Sequence, residues 1–449
     1  MRNIKFPKIF YGWYIVLAAA AINAYGAGVW FYGFPIFFKA LRDEFGWSAA
    51  AGALVVSLSR LEGGIEGPIV GKLIDRFGPR KLAVIGAIIA GTGFFAMSQV
   101  REVSIGPINL SPYSVFIILY AGWMSIGYNT GFGHASMASV NSWFDKKRSR
   151  AFAIFSLGAG FSGITVMVLG TIMDALGWRM TAFAAGIGIF LIVLPLALIL
   201  RHKPEDYGYL PDGRIPMNLE NPSVKNGDRN EAAISISTGP ASLSVNKEDI
   251  EINFTSKQAL KNFAFWMLVL AGSARALAMT SVVIHQIIYL TEVREMSLTI
   301  ASSALGSMVT ISLVGRLIFG WLGDYYDKRW VLIATYLLQA AGIFILARVN
   351  SMTELWLFVV IYGIAYGGAI PLFWAIVGDY FGRNHYATIR GFLQLFQAPT
   401  TVIGPIFAGW IYDQSESYTS AFMLFIVALL IGCVFMFLAK SPQAQKKLI

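Results

Sequence analysis

Twelve stretches of mainly apolar residues constrain this chain more than any other feature. A helix that crosses a bilayer needs roughly 20 such residues, and each stretch is close to that length. We therefore predict an all-α membrane protein with twelve transmembrane helices. The predicted spans cover residues 11–38, 49–74, 82–100, 113–140, 151–176, 181–200, 263–290, 299–322, 331–347, 355–381, 391–411 and 421–439.

The composition excludes most soluble classes of protein. Only 13% of the 449 residues are charged, whereas a soluble globular protein carries about 25%. A single cysteine, Cys433, excludes a disulfide framework and a cysteine-based zinc site. Four scattered histidines leave little room for another metal centre. We expect no catalytic residues, no metal and no cofactor, and hence no enzyme.

The basic residues predict an orientation. Of the 35 Lys and Arg residues, 26 fall at the termini or in the loops on one side of the predicted spans, and six fall on the other side. Because basic loops stay in the cytoplasm, both termini are predicted to be cytoplasmic. The net charge of +10 then reflects loops at an anionic membrane face, and we expect no nucleic-acid partner. The predicted location is the cell membrane, which is the inner membrane in a prokaryote.

A polar segment divides the apolar chain into six spans and six spans. Residues 203–257 are rich in Pro, Asn, Ser, Gly and alternating charges, a composition typical of disorder. We predict a first six-helix bundle over 1–201, a largely disordered cytoplasmic linker over 202–258, and a second six-helix bundle over 259–449. The N-terminus is basic and then apolar, which indicates a retained first span. We expect a monomer.

The loops after the second and eighth spans repeat each other. The first reads GKLIDRFGPRK and the second GWLGDYYDKRW, and four residues return 249 positions later. Two bundles with matching loops are typical of a transporter whose site lies between the halves. The repeated pairs are Gly71 and Gly320, Leu73 and Leu322, Asp75 and Asp324, and Arg80 and Arg329.

The first of these loops resembles the signature of the major facilitator superfamily, G-x-L-x-D-R-x-G-x-R. The second copy is degenerate, with Tyr325 and Asp327 in place of Arg and Gly. The resemblance implies a gate in which these charged residues bridge neighbouring helices in one conformation and release them in another. The predicted gating residues are Gly71, Asp75, Arg76, Arg80, Asp324 and Arg329.

Three shorter segments resemble the monocarboxylate porters and their oxalate–formate antiporter relatives. They are YGW at 11–13, WFDKKRSRA at 143–151 and VGRLIFG around Arg316. The resemblance implies that Arg316 binds the substrate carboxylate. A planar guanidinium suits a carboxylate, and an arginine inside a bilayer needs a partner or a wet cavity. Alternatively, Arg316 clamps helix ends, although the equivalent residue in the first repeat is Gly67.

Further polar residues inside the spans are candidates for substrate contact. Arg275 is a second anion contact or a structural partner across the bundle. Tyr128, Asn129 and Gln397 fix the orientation of the substrate or join helices. Relative to the resembled families, Gln397 replaces a lysine of the oxalate antiporters. Tyr32 and Ser312 replace a lysine and an acidic residue of the animal porters. One arginine with an amide suits a single carboxylate better than a dianion.

Three residues are candidates for proton coupling. Glu62 and Glu66 lie four apart and share a helix face, so one of them is protonated or a cation lies close. The alternative is a structural network beside the loop. His285 titrates in the range that proton transport needs, or it packs helices through hydrogen bonds.

These features predict a secondary active transporter of small organic monocarboxylates that works by alternating access, coupled to protons or by exchange. Its expected partners are the carboxylate, protons and the lipid bilayer. One alternative is an exporter of bulkier hydrophobic organic anions or drugs. Another is a membrane receptor that does not transport.

Overall fold

The structure is a computed structural model, and it describes residues 10–47, 49–105, 108–213, 253–415 and 417–442. The described chain is mostly helical. It also contains one antiparallel hairpin, in which Val103–Ile105 pairs with Ile108–Leu110, so the prediction of an all-α protein was too strict. Most of the predicted linker, 214–252, lies outside the described residues, as does the side chain of Arg60.

Five long helical stretches precede that segment, and we number them in chain order. The fourth, α4, alternates α-helical and π-helical turns from residue 112 to residue 143. The others are α1 (Tyr11–Phe45), α2 (Ala49–Phe77), α3 (Pro79–Met97) and α5 (Arg148–Ile199).

Seven helices follow the segment. The first, α6 (Ser256–Leu260), is short and falls inside the predicted linker. The others are α7 (Phe263–Val293), α8 (Leu298–Tyr325), α9 (Lys328–Ala347), α10 (Met352–Phe381), α11 (Tyr386–Ser415) and α12 (Thr419–Leu438).

Polar caps extend several helices beyond the apolar runs that predicted them. Ser351 accepts a hydrogen bond from the backbone of Glu354, and Glu354 bonds back to Ser351. Ser297 and Asp327 cap α8 and α9 by accepting one backbone N–H each, from Ile300 and Arg329. Because a capping side chain satisfies N–H groups that the helix leaves free, these helices begin one to three residues before the predicted spans.

The fifth helix changes direction within its 52 residues. A straight helix of that length would measure about 78 Å, more than twice a bilayer. Gly177 breaks it with φ 76° and ψ 173°, a conformation open to glycine. Just beyond the break, Trp178 and Arg179 bond to Glu44 at the end of α1. The helix therefore contains two of the predicted spans.

Eight helical stretches of the described chain are long and apolar enough to cross a membrane. The helices α2, α4 and α11 cover the other predicted runs but contain more polar residues, such as Glu66, Asn129 and Gln394. The eight are Tyr11–Phe45, Pro79–Met97, Arg148–Ile199, Phe263–Val293, Ser303–Tyr325, Lys328–Ala347, Met352–Phe381 and Thr419–Leu438. The count of twelve spans stays a prediction.

Three of the five π-helical segments in the described chain lie in α1 and α4. They are Ala27–Tyr32 in α1, and Ile118–Met124 and Asn129–His134 in α4. A π-helical turn leaves a main-chain group available for other partners. The hydroxyl of Tyr120 donates to the Trp30 carbonyl, and the two rings stack 4.0 Å apart. The wide turns thus join α1 to α4.

The parts before and after residues 214–252 meet mainly along two helix pairs, α2 with α11 and α5 with α8, and α5 also packs against α10. Gly67 and Gly391 bring the backbones of α2 and α11 into direct contact. The side chain of Leu313 in α8 packs directly against Gly160 in α5. Small residues permit such close approach in membrane proteins. The space between the two pairs is where a shared site can form.

Candidate functional site

A cavity of about 560 Å³ lies between the two parts of the chain. Its wall combines α1, α2 and α4 with α7 and α11, and it is mainly apolar and aromatic. The lining residues are Trp30, Phe31, Phe34, Pro35, Ser59, Gly63, Tyr120, Ser125, Tyr128, Asn129, Ala276, Met279, Thr280, Gln394, Gln397, Ala398 and Thr401. A cavity shared by both parts has the position expected of a transport site.

Three of the predicted substrate contacts belong to this wall, namely Tyr128, Asn129 and Gln397. The amide nitrogen of Gln397 is buried and has no hydrogen-bond partner. Its neighbour Gln394 donates across the interface to the Gly63 carbonyl at 3.3 Å. The cavity therefore offers an unused amide donor.

Arg316 lies outside this wall, buried at the interface with 6% of its surface exposed. Its Nη1 donates to the main-chain carbonyl of Ser156 in α5, and its Nε has no partner. The guanidinium interacts electrostatically with Tyr32, Tyr366 and Arg275. Because Phe31, beside Tyr32, lines the cavity, this cluster adjoins it.

The other candidates around Arg316 bond mainly to the backbone. Nη2 of Arg275 donates to the Tyr366 carbonyl at 3.1 Å, and its Nε is buried without a partner. Ser312 is fully buried and donates to Val309 of its own helix at 2.6 Å. Tyr32 is 42% exposed. The structure brings Tyr32 and Arg275 to Arg316, while the hydroxyl of Ser312 is used within α8.

Glu62 and Glu66 form a pair against α4. The two carboxyl groups interact with each other. Ser125 donates to Glu62, and Asn129 donates to Ser125 at 3.4 Å. Oε1 of Glu66 is buried without a partner. The face of α2 that carries Glu62 and Glu66 therefore packs against Ser125 and Asn129 of the cavity wall.

His285 is bonded through both ring nitrogens. Nδ1 lies 3.0 Å from the Tyr418 hydroxyl, and Nε2 lies 2.9 Å from the Pro405 carbonyl. Since a carbonyl only accepts, Nε2 carries the hydrogen and Nδ1 accepts from Tyr418. This arrangement favours the packing role that the sequence left open.

The repeated aspartates join the two parts on one side of the molecule. We call this side, where residues 201–213 and 253–262 lie, the linker side, and the opposite one the far side. Asp75 accepts from the backbone N–H groups of Ala387 and Thr388, at 3.3 and 3.0 Å, and from the Thr388 hydroxyl at 2.5 Å. These N–H groups begin α11, where the helix dipole favours a carboxylate.

Asp324 makes the equivalent contact with α5. It accepts from the N–H groups of Ser149 and Arg150, at 2.9 and 3.3 Å, and from Nε of Arg150 at 2.5 Å. Gly71 permits the contact of Asp75 with α11, because a Cβ at residue 71 would lie 2.4 Å from the Ala387 carbonyl oxygen. The two carboxylates thus bond the two parts of the chain to each other on the linker side.

The remaining residues of the predicted gate lie away from these bonds. Arg76 lies over the ring of Phe77, 5.2 Å from its centroid. Arg80 is exposed. Arg329 pairs with Asp327 of its own loop at 2.6 Å. In this conformation the interface is held by the aspartates of the motif and by main-chain donors.

Further bonds between the two parts lie on the linker side, and the sequence analysis missed them. Asp379 of α10 binds Arg148 and also binds Lys328, at 2.5 Å from Nζ. Arg383 donates to the Ser142 carbonyl and pairs with Glu205, both at 2.8 Å. These residues lie at helix ends or in loops, where no helical spacing marks them.

Arg390 was also missed as an intramembrane charge. The predicted span begins at residue 391, but α11 begins at Tyr386. Arg390 therefore lies inside the helix, bonded to His134 of α4.

Comparisons with known proteins agree with this architecture. The family model described as Major Facilitator Superfamily matches residues 16–318 and 287–448. The chain is 22% identical to mouse monocarboxylate transporter 14 over 89% of this chain and 85% of the relative. It is 24% identical to chicken monocarboxylate transporter 4 over 94% and 81%.

Solved structures share the fold at low identity. The human organic anion transporter MFSD10 matches with a TM-score of 0.65 and 14% identity, covering 96% of this chain and all of that one. The family match extends over most of the chain, beyond the loop motif that first suggested it. The chain belongs to the Major Facilitator Superfamily, whose members are multi-pass membrane transporters and not enzymes.

Proposed function

We propose that this protein transports small organic monocarboxylates by alternating access, with Arg316 as the carboxylate ligand. The observation that carries the proposal is the uncompensated positive charge beside the cavity. In the described part of the chain, the bonds of Arg316 and Arg275 go to main-chain carbonyls, and no carboxylate pairs with either. A buried cation without an anion is costly, so the site favours an anionic cargo.

The neutral residues near the site favour a single carboxylate. Gln397, Tyr128 and Asn129 supply donors to orient the cargo, and much of the remaining wall is aromatic. The single-carboxylate preference rests on Gln397, an amide where the resembled oxalate antiporters have a lysine. Arg275, the second guanidinium near Arg316, keeps its bond to the Tyr366 carbonyl in this proposal. The names of the relatives, monocarboxylate transporters 14 and 4, support this substrate class.

The proposed motion is a rocking of residues 1–201 against 259–449 about the 202–258 linker. It rests on twelve spanning helices, a monomeric protein and cytoplasmic termini in the cell membrane, so the linker side is the cytoplasmic side. The hydrogen bond from Arg316 to Ser156 crosses the moving interface. A carboxylate that binds Arg316 competes for this donor, which couples cargo binding to movement. Protons accompany the cargo or a second carboxylate is exchanged; Glu62, Glu66 and His285 remain candidate proton carriers.

An uptake screen tests the proposal. Purified protein in proteoliposomes is given formate, acetate, pyruvate, lactate and benzoate, with and without an inward proton gradient. We expect R316A to abolish uptake while the protein still inserts and remains monodisperse. R316K should retain partial uptake, because it keeps the charge but loses the bidentate geometry. The exposed Arg348 provides the control R348A. Undiminished uptake by R316A would reject the assignment.

A second candidate, the export of bulkier hydrophobic anions, is favoured by the aromatic wall. Trp30, Phe31, Phe34 and Tyr120 line a cavity much larger than a two- or three-carbon acid needs. Competition between labelled lactate and a large aromatic acid separates the two functions. Stronger binding of the aromatic acid, with no lactate transport, would favour the exporter.

A further inference from the structure

A buried pair of nitrogen bases joins α4 to α11 outside the proposed site. Nη1 of Arg390 lies 3.2 Å from Nδ1 of His134. Only 3% of the surface of His134 is exposed. The Arg390 guanidinium also lies 5.9 Å from the centre of the Trp374 ring, and its Nε is buried without a partner. Arginine can only donate, so Nδ1 accepts and His134 is neutral with its hydrogen on Nε2.

The pair lies beneath the cavity, toward the linker side. Arg390 precedes Gln394 by one helical turn, and His134 follows Asn129 by five residues within a π-helical segment. Gln394 and Asn129 both line the cavity. Residues one turn apart share a helix face. Arg390 and His134 therefore lie on the cavity-facing sides of α11 and α4, one turn closer to the linker side.

The gate lies just beyond the pair. Thr388, two residues before Arg390, is held by Asp75. The contact between Gly67 and Gly391 closes α2 against α11 at the same level. Opening of the linker side separates these helices, and the pair then faces the linker-side entrance.

The acids on neighbouring helices are engaged elsewhere. Asp75 of α2 caps α11. Glu62 accepts from Ser125 of α4 and interacts with Glu66. Asp379 of α10 binds Arg148 and Lys328. The hydroxyl of Tyr386, on α11 itself, donates to the Trp374 carbonyl. In the described chain the guanidinium of Arg390 therefore has a neutral hydrogen-bond partner and an aromatic ring.

We propose that Arg390 and His134 form a second binding site, on the linker side, which takes up a carboxylate together with one proton. This inference rests on the proposed transport of monocarboxylates. The carboxylate displaces Nδ1 and binds the guanidinium through both oxygens. The freed Nδ1 accepts a proton and donates to the carboxylate. The site carries one positive charge before binding and one after it, and the only covalent change is the N–H bond that the incoming proton forms at Nδ1 of His134.

This exchange couples the proton to the anion. A proton on His134 without the anion would place two cations within 3.2 Å of each other, which is unfavourable in a buried site. The carboxylate removes that repulsion, because it lies between the two bases. The acid therefore binds to this site as a neutral unit and leaves toward the linker side.

Transport kinetics from each side test the site. Right-side-out and inside-out membrane vesicles receive labelled L-lactate, or the best acid of the screen, at several pH gradients. H134N keeps an acceptor for Arg390 but cannot be protonated, so we expect acceleration by a proton gradient to be lost while carboxylate exchange persists. R390Q should raise KM on the linker side by about tenfold, the effect of about 1.4 kcal/mol, with little change on the far side.

Matched variants separate the explanations. H202N and R348Q are the controls, and gel filtration checks that each variant is folded. R390K keeps the charge and loses the bidentate fork, so it should give an intermediate KM. It serves in place of R390Q if that variant does not fold.

Two results would contradict the proposal that Arg390 and His134 bind the acid. One is proton-driven uptake by H134N equal to wild type together with an unchanged linker-side KM in R390Q or R390K. The other is loss of proton dependence in E66Q but not in H134N, which would move the proton to the glutamate pair. If the wild-type protein transports no acid of the screen, the proposed function itself has failed.

Discussion

Asp75 and Asp324 hold the same relation to opposite parts of the chain. Asp75 at the end of α2 accepts the N–H of Thr388 at 3.0 Å, and Asp324 at the end of α8 accepts the N–H of Ser149 at 2.9 Å. The aspartates are 249 residues apart. The sequence repeat thus becomes a pair of reciprocal contacts, in which each part caps a helix of the other.

The first prediction concerns the gate. Asp75→Asn removes the charge that faces the N-terminus of α11, and charged hydrogen bonds contribute about 1.5–3 kcal/mol each. We expect the population to shift toward a linker-side-open state. The cavity residue Ala398, replaced by cysteine, should then react more slowly with a membrane-impermeant maleimide added from the far side.

The exposed Asp174 supplies the control for this experiment, and Asp174→Asn should leave the labelling rate unchanged. Cys433 is replaced by serine in every variant, so that the maleimide reacts only with the cysteine introduced at position 398. An equal labelling rate in the Asp75→Asn and wild-type backgrounds would contradict the gating role.

The second prediction concerns close approach of backbones. A Cβ at Gly71 would lie 2.4 Å from the Ala387 carbonyl oxygen and 2.5 Å from the Thr388 Cα. Since backbone atoms cannot move aside easily, Gly71→Ala should prevent full closure and slow transport strongly. Gly163→Ala, where a Cβ meets open space, should transport normally. Similar rates for both variants would show that the contact does not limit the cycle.

The third prediction concerns selectivity. Gln397→Lys adds a cation to the cavity wall, so a second carboxylate can be balanced there. We expect oxalate uptake to rise relative to lactate uptake, measured as a ratio in the same proteoliposomes. Gln397→Met, which removes the amide without adding charge, is the control. If both variants alter the ratio equally, loss of the amide and not the new charge is responsible.

The fourth prediction concerns stability. Tyr418→Phe leaves Nδ1 of His285 without its donor, and an unmade buried hydrogen bond costs about 1–3 kcal/mol. We expect the Tm in detergent to fall by roughly 1–3 °C, with uptake still responsive to a proton gradient. Tyr14→Phe, at a half-exposed ring, should leave the Tm unchanged. Loss of proton-driven uptake at an unaltered Tm would instead favour a coupling role for His285.

Much of the helical architecture follows from the sequence, because apolar runs of membrane length have few other structures. The resemblance of the loops to the superfamily signature likewise implied that Asp75 and Asp324 bridge neighbouring helices. Their partners could not be predicted, since backbone N–H groups of residues such as Thr388 leave no mark in a sequence. The same holds for Arg316, whose bond to the Ser156 carbonyl depends on how α5 and α8 pack.

The local departures from regular helix were also beyond sequence reasoning. The π-helical segment Ala27–Tyr32 has the composition of an ordinary apolar helix, and its register depends on the bond between Tyr120 and Trp30. The hairpin at 103–110 falls in a short loop with no long alternating pattern. Arg390 escaped notice because the apolar run begins one residue later than it.

The capped helix ends lie at the linker side, near the edge of the apolar spans. When Asp324 leaves α5, the N–H groups of Ser149 and Arg150 lose their acceptor, and the same happens to Ala387 and Thr388 when Asp75 leaves. At the rim of a membrane, solvent can hydrate all four donors at once. A lock in the hydrocarbon interior would have no such substitute. The placement of the aspartates at a wettable boundary therefore makes the closed state both firm and readily reversible.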